Sequence, residues 1–119
     1  MKTYQPKGND GLLIINYKTS KKVLIKNVIL LKSSLNYTIL YLESGKMKVM
    51  SHTLKFYEKF LRTHGFLRVH RAFMINPDYV KGYCQNEEFI TMTNGHQAQI
   101  SRRRRHELRG LGWLPLSNW

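Results

Sequence analysis

The sequence holds few of the residues from which disulfide frameworks, metal centres and catalytic clusters are built. Cys84 is the single cysteine, which excludes an internal disulfide and leaves no Cys/His spacing typical of a zinc site. The 7 Asp and Glu residues are scattered, and the one adjacent pair, Glu87 and Glu88, points to opposite faces if it lies on a strand. A metal nuclease needs clustered carboxylates or histidine pairs. We therefore expect a protein that is not an enzyme and has no metal site and no cofactor.

Long apolar runs are also absent. No segment approaches the roughly 20 apolar residues that span a bilayer. The polar residues 1–10 are followed by an apolar stretch, residues 11–15, that is too short for a signal peptide. A lone cysteine also suits a reducing compartment. These absences predict a cytoplasmic protein with no membrane partner.

Positive charge is what the sequence has in excess. There are 20 Lys and Arg residues against 7 Asp and Glu residues, a formal net charge of +13. The sequence pI of about 10.1 lies above roughly 9, the range in which nucleic-acid binding is expected. A surface this basic repels itself unless it has polyanionic partners. Nucleic acid is therefore the first candidate and an acidic membrane surface the second, and charge alone does not decide between them.

Strands are predicted along most of the chain. Residues 11–17 and 22–32 are rich in Val, Ile and Leu, and residues 35–50 predict a hairpin that turns at 43–46. The first arm of that hairpin carries apolar residues on both parities, which predicts a strand covered on both faces. Further strands are predicted at residues 66–75, 79–84, 88–93 and 96–100. Turns are expected at Asn76-Pro77-Asp78, where Asn76 has a structural role, and at Asn94-Gly95.

Two segments predict helices. Residues 51–63 carry apolar residues near helical spacing on one face and charged residues largely on the other. A second, shorter helix is expected to begin after residue 101. The residues expected to bound these helices are Ser51 or Thr53 and Gly65 for the first, and Ser101, Gly110 and Gly112 for the second. The sequence therefore predicts a mainly β protein with two helices, which excludes a helix-turn-helix protein.

Two motifs and their spacing make the chain recognisable. F-L-R-V-H-R-A-F-M-I-N (66–76) is followed by N-G-H-Q-A-Q-I-S-R-R-R (94–104), and S-L-N-Y (34–37) precedes both. The segment from about Lys26 to Leu111 resembles the LytTR family of bacterial DNA-binding domains. Two positions depart from the family pattern: Ala72 stands where a serine is frequent, and Lys32 where an acidic residue is common.

The resemblance implies an elongated, mainly β, LytTR-like arrangement of small antiparallel sheets with two short helices. It also implies that loops, rather than a recognition helix, enter successive major grooves of duplex DNA and so regulate transcription. The base contacts would fall on Asn36, Arg71 and Arg103, with Arg68, His70, Arg102 and Arg104 beside them on phosphate or base. Family members tend to occupy direct-repeat operator sites, so two copies are expected on one operator, as a homodimer that forms only on DNA or also in solution.

Elementary chemistry supports these positions but also offers plainer interpretations. An arginine fork matches O6 and N7 of guanine, and an asparagine amide matches N6 and N7 of adenine. Consecutive arginines fan out by about 100° each on a helix, so only some of residues 102–105 can face one groove. An arginine run is more often a basic patch that contacts phosphates without reading sequence. His70 alone is more often structural, and Asn36 alone is an ordinary turn residue.

The predicted organisation is a flexible N-terminus at 1–10, a LytTR-like domain at 11–112 and a C-terminal tail at 113–119. No receiver-like acidic cluster precedes the domain, so the chain is either a free-standing regulator or a part of a longer protein. The alternative function is an RNA-binding or ribosome-associated basic β protein that stacks single strands and does not read duplex sequence. The apolar tail leaves three further interpretations open: an anchor at a membrane surface, a cover over the core, or a dimer contact.

Overall fold

The computed structural model describes residues 11–16 and 18–110. The predicted flexible segment 1–10 and the tail 113–119 lie outside the described residues. The strands are β1 Leu12–Asn16, β2 Lys21–Leu24, β3 Val28–Ser34, β4 Tyr37–Leu42, β5 Met47–Met50, β6 Leu67–His70, β7 Phe73–Ile75, β8 Val80–Cys84, β9 Phe89–Met92 and β10 Gln97–Gln99. The helices are α1 Leu54–Arg62 and α2 Arg102–Gly110, with short 3-10 turns at Ile25–Asn27 and Pro77–Tyr79.

In the described part of the chain these strands form three antiparallel sheets. The central sheet has five strands in the order β5-β4-β3-β7-β6, a second has three strands in the order β10-β9-β8, and β1 pairs with β2. The Cα atoms extend over 44 × 36 × 25 Å. The expectation of a mainly β fold built of small antiparallel sheets with two short helices is therefore confirmed.

The central sheet is buried on both faces, as the apolar residues of both parities predicted. One core cluster contains Leu31 of β3, Leu40 of β4 and the three buried residues of α1, which are Leu54, Tyr57 and Leu61. The other contains Ile29 and Leu30 of β3 together with residues of β8, β9 and β10 and Leu108 of α2. Ile29 and Leu30 share a cluster because the register between β3 and β4 shifts between Val28 and Leu30, which breaks the strict alternation of a strand.

Two predicted strands are each interrupted. The segment 22–32 contains the 3-10 turn Ile25–Asn27. Ile25 is fully buried and donates its N–H to the carbonyl oxygen of Gly11 at 2.9 Å, which turns the chain from the β1–β2 hairpin into the central sheet. The segment 66–75 is a hairpin of β6 and β7 that turns at Arg71 and Ala72. A run of β-forming residues does not show where it folds back, because neither turn contains glycine or proline.

The predicted turns are present, and the caps expected within the described residues are present with one exception, while Gly112 lies outside those residues. Gly45 and Gly95 occupy positive φ values of 94° and 89° at the two tight turns, where a side chain would be strained. Asn76 is buried, donates Nδ2 to the carbonyl oxygen of Val28 at 3.0 Å and accepts the N–H of Asp78 at 3.0 Å. Thr53 stands at the N-cap of α1, but its side chain makes no capping hydrogen bond.

Candidate nucleic-acid interface

Two hairpin turns of the central sheet lie at the same end. Ser34 pairs with Tyr37, so Leu35 and Asn36 form the two-residue turn between β3 and β4. β3 also pairs with β7 in antiparallel register, and the N–H of Ser33 donates to the carbonyl oxygen of Ala72 at 2.8 Å. The Arg71–Ala72 turn therefore lies next to the β3–β4 turn.

The start of α2 completes this end of the molecule. The N–H of Ser101 donates to the carbonyl oxygen of Val69 in β6 at 2.9 Å. The Ser101 Oγ accepts the N–H of Arg104 at 3.2 Å, which confirms the predicted N-cap. We call the Leu35–Asn36 turn, the Arg71–Ala72 turn and residues 101–104 together the interface edge.

Four of the predicted site residues line one open cleft at the interface edge. His70 and Arg71 form one wall, and Ser101, Arg103 and Arg104 form the other. Of the remaining three residues, Asn36 lies at the adjacent hairpin turn, Arg102 lines a second groove with Arg105 and Arg109, and Arg68 is buried. Residues as far apart in sequence as Asn36 and Arg104 thus meet at one edge because β3, β7, β6 and α2 are successive neighbours in space.

The guanidinium groups at and near the start of α2 and on the Arg71–Ala72 turn differ in their partners and in their exposure. Arg104 forms an ion pair with Glu107 at 3.1 Å, and Arg105 pairs with Glu88. Arg71, Arg102 and Arg103 are exposed, and no ion pair involves them within residues 11–16 and 18–110. These three groups therefore present uncompensated positive charge beside the N-terminus of a helix, where free backbone N–H groups also favour an anion.

Arg68 lies inside the protein and holds the β6–β7 turn. Its Nε donates to the carbonyl oxygen of His70 at 2.8 Å and one Nη to that of Arg71 at 2.6 Å, while the other Nη pairs with Glu58 of α1. Burial lowers the pKa of Arg68 and Glu58 opposes that shift, yet an arginine stays charged in either case. The contacts of Arg68 thus tie the turn that carries Arg71 to α1.

Glu58 is the acceptor on which this arrangement depends. Its other oxygen accepts from Nε of Arg62 at 2.8 Å. Burial alone would raise the pKa of Glu58, but the hydrogen bond from Arg62 and the charges of Arg68, Arg62 and Arg104 together lower it. The carboxylate is therefore ionised at neutral pH, as a partner for two guanidinium groups requires.

His70 is oriented by the same turn. Its Nδ1 accepts the N–H of Ala72 at 3.0 Å, which requires a neutral ring with its proton on Nε2. Burial, followed by the charges of Arg71 and Arg68, lowers the pKa of His70. The ring also meets the edge of Phe73 with centroids 5.8 Å apart. The structure thus places a neutral N–H donor at the wall of the cleft.

Neither a metal cluster nor a membrane-spanning helix is present among the described residues. Within residues 11–16 and 18–110, no three His, Cys, Asp or Glu side chains are grouped closely enough to hold a metal ion. No helix in these same segments is long and apolar enough to cross a membrane.

A family model described as the LytTr DNA-binding domain matches residues 18–113. The chain belongs to the LytTR family. The match spans all seven predicted site residues, and it makes this chain a DNA-binding domain by family. Comparison with curated proteins found no match.

A solved structure shows that the fold is also shared. The LytTR domain is similar to the "LytTr DNA-binding domain of putative methyl-accepting/DNA response regulator from Bacillus cereus", with a TM-score of 0.73 and 20% sequence identity. The similarity covers 89% of this chain and 100% of the other. At this identity the likeness concerns the fold, which agrees with the fold implied by the sequence motifs.

Sequence reasoning missed two residues at this site. Glu58 lies 10 positions before Arg68, and its place on the charged face of α1 was the one available signal. Leu35 stands at a φ of 55° in the β3–β4 turn and is 92% exposed. The sequence S-L-N-Y placed the turn but did not indicate that its most exposed side chain is apolar.

Proposed function

We propose that this LytTR domain reads the sequence of duplex DNA with its interface edge and thereby regulates transcription in the cytoplasm. The observation that carries the proposal is the shared cleft of His70, Arg71, Arg103 and Arg104, with Asn36 on the neighbouring turn. Three separate segments of chain converge there, and the guanidinium groups of Arg71 and Arg103 are exposed and unpaired within the described segments. A patch that only attracted phosphates would not need such convergence.

Different side chains suit different parts of the duplex. Arg71 and Arg103 can each present two donors to guanine, and Asn36 can pair with adenine in a bidentate way. Each such contact contributes about 1–3 kcal/mol of discrimination between bases. Arg102 and Arg104, together with the N-terminus of α2, suit flanking phosphates, which position a protein without reading sequence.

Arg68 takes an indirect role in this proposal. Sequence motifs predicted it as a DNA neighbour, and its contact with DNA stays a prediction. Its buried guanidinium already donates to the carbonyl oxygens of His70 and Arg71 and pairs with Glu58. We therefore assign Arg68 to positioning Arg71, since a rigidly held turn keeps the exposed side chain in reach of a base.

The operator is proposed to be a direct repeat. Two LytTR domains in the same orientation would place their interface edges a whole number of helical turns apart, each turn measuring roughly 34–36 Å along the duplex. Pairing of this kind needs two copies on DNA and no dimer in solution. The spacing of a selected site therefore tests the arrangement directly.

The deciding experiment is selection of duplex DNA from a randomised pool at near-physiological salt, with single-stranded RNA as competitor. We expect one enriched motif, repeated at a multiple of about 10.5 base pairs, with little competition from RNA. Recovery of no motif, with RNA competing freely, would overturn the proposal in favour of a basic RNA-associated protein. One unrepeated motif would remove the direct repeat and keep the sequence-specific binding.

Variants of the turns then assign the contacts. Arg71→Ala is expected to weaken binding to the selected duplex far more than binding to random duplex, because it removes a base contact. Asn36→Ala is expected to relax the preference at a single base position. Equal losses on selected and random DNA would reduce Arg71 to a phosphate contact, and an unchanged preference would remove Asn36 from the site.

A further inference from the structure

Leu35 is the most exposed large apolar side chain among the described residues. It is 92% exposed, whereas Val49, the next in order, is 65% exposed. Leucine is ordinarily found inside proteins, and a single exposed one needs no explanation. Its position and backbone conformation make this one unusual.

The backbone at Leu35 is in a conformation that leucine rarely adopts. Its φ is 55°, a value at which a bulky side chain is a genuine outlier. At the turns 43–46 and 93–96 the positive φ falls on glycine, with Gly45 at 94° and Gly95 at 89°. The other non-glycine residues at positive φ within the described segments are the small or polar Ser20 at 57° and Glu88 at 55°, so Leu35 is the one apolar side chain held in this conformation there. Strained residues of this kind persist where the surrounding structure holds them, and they concentrate at functional sites.

The strained turn holds Leu35 at the interface edge. Leu35 and Asn36 are closed in by the Ser34–Tyr37 pair, and the hydrogen bond from Ser33 to Ala72 measures 2.8 Å. Leu35 therefore adjoins Asn36 and lies two residues, roughly 7 Å along the strand, beyond Ser33, whose N–H is bonded to the turn that carries Arg71. An apolar group stands here among donors that suit bases and phosphates.

We propose that Leu35 recognises a thymine by its C5-methyl group, next to the base that Asn36 contacts. This inference rests on the proposed function. The thymine methyl is the one apolar group that a standard base pair presents in the major groove, whereas phosphates and the polar base edges offer nothing to a leucine side chain. Contact with that methyl would remove both apolar groups from water and distinguish thymine from cytosine at the same position.

Deoxyuridine provides the probe, because it keeps the pairing and the O4 acceptor of thymine and lacks only the methyl group. Each dT of the selected duplex is replaced singly by dU and the affinity of the full chain is measured. We expect one position at which the affinity falls about fourfold, the factor that corresponds to one buried methyl, and no comparable loss elsewhere. A selected motif without thymine, or equal affinity for dT and dU at every position, would overturn the proposal.

Two variants assign the effect to Leu35. Leu35→Gly suits a positive φ, and Leu35→Asn tolerates it while replacing the apolar group by a polar one. Both variants are expected to fold, which urea unfolding checks. Both are also expected to bind the dT and dU duplexes with equal affinity. The matched control Val49→Ala, which truncates an exposed apolar residue on β5, should retain the fourfold difference.

The outcomes separate this proposal from the function on which it rests. Failure to select any duplex overturns both. A selected duplex with no dU effect overturns the role of Leu35 and leaves sequence-specific binding in place. A dU effect that survives in both Leu35 variants assigns the methyl to another side chain and overturns the proposal as well.

Discussion

The two helices are of equal length and both contact β6, yet they differ in what they bury. α1 and α2 each have nine residues. α1 buries Leu54, Tyr57 and Leu61, whereas α2 buries Leu108 alone. Helices in proteins gain most of their stability from packing an apolar face, so α1 belongs to the core and α2 is held by one apolar residue, its cap and its ion pairs.

The two helices therefore act on the interface edge in different ways. α1 reaches the edge indirectly, since Glu58 holds Arg68 and Arg68 holds the turn of Arg71. α2 reaches it directly with its exposed arginines and its N-terminus. A helix that presents charge to a polyanion cannot bury the same face, so α2 adds only Leu108 to its core cluster, whereas α1 adds three residues to the cluster on the other face of the sheet. The comparison predicts that changes in the buried face of α1 act on folding and changes in the exposed face of α2 act on binding.

The largest effect is expected from the core of α1. Leu61 is fully buried, so Leu61→Ala should lower the free energy of unfolding by about 2–5 kcal/mol. Phe60→Ala is the control one residue earlier, where the side chain is 41% exposed, and its loss should be clearly smaller. Urea unfolding measures both, and similar losses for the two variants would contradict the assignment of α1 to the core.

The next effect separates the two partners of Glu58. Glu58→Gln leaves the buried Arg68 without its counter-charge and should destabilise the fold by about 1.5–3 kcal/mol. Arg62→Ala removes the other partner, which is 46% exposed, and should change stability by less than about 1 kcal/mol.

DNA-binding measurements test whether the Glu58–Arg68 pair positions the turn that carries Arg71. Under conditions where each protein is folded, Glu58→Gln should lose affinity for selected DNA in excess over random DNA, while Arg62→Ala should not. A purely structural pair would lower stability and leave the ratio of the two affinities unchanged. Binding titrations on selected and random duplexes at one salt concentration give that ratio.

A third prediction concerns α2 itself. Arg103→Ala should weaken binding to the selected duplex by about 1–3 kcal/mol and leave stability within about 0.5 kcal/mol, as for exposed residues elsewhere. Lys55→Ala removes one charge from the exposed face of α1 and is the matched control. Lys55→Ala should leave the ratio of the affinities for selected and random DNA unchanged. If both variants lose binding uniformly across sequences, Arg103 is only a phosphate contact.

The sequence was sufficient for the elements whose signals are local. The turns at Asn94-Gly95 and Glu43–Lys46 were predicted because glycine at a positive φ marks a tight turn. α1 was predicted from its apolar face and Ser101 from its position before the arginine run. The strand interruptions at Ile25–Asn27 and Arg71–Ala72 were missed because neither contains glycine or proline and both are flanked by β-forming residues.

The site was predicted only in part, because some of its features depend on contacts between residues far apart in sequence. Motif resemblance named Arg71, Arg103 and Asn36, and the fold brings them to one edge. Nothing in the residue type of Arg68 distinguishes it from Arg71, although one is buried against carbonyl oxygens and the other is exposed. That distinction depends on Glu58 and on the register of β6 and β7, which are long-range properties that no local pattern encodes.

The smallest expected effect is a pH dependence of stability that arises from His70 at the β6–β7 turn. Burial and then the charges of Arg71 and Arg68 hold the pKa of His70 below its ordinary value near 6.5. The unfolded chain therefore takes up the proton first as the pH falls below about 6.5, and the free energy of unfolding should decline over that range. His70→Asn keeps an acceptor for the N–H of Ala72 and cannot titrate, while the other histidines cancel in the comparison.

Urea unfolding at pH 7.5, 6.5 and 5.5 should show the wild-type protein losing stability relative to His70→Asn, and a constant difference would contradict the shifted pKa. Binding of the selected duplex measured at the same three pH values tests the DNA proposal, because a phosphate beside His70 favours the protonated ring. Affinity for the selected duplex should then rise as the pH falls, opposite in sign to stability, and the rise should vanish in His70→Asn. A histidine that only supports the turn would change stability with pH and leave this gain in affinity absent.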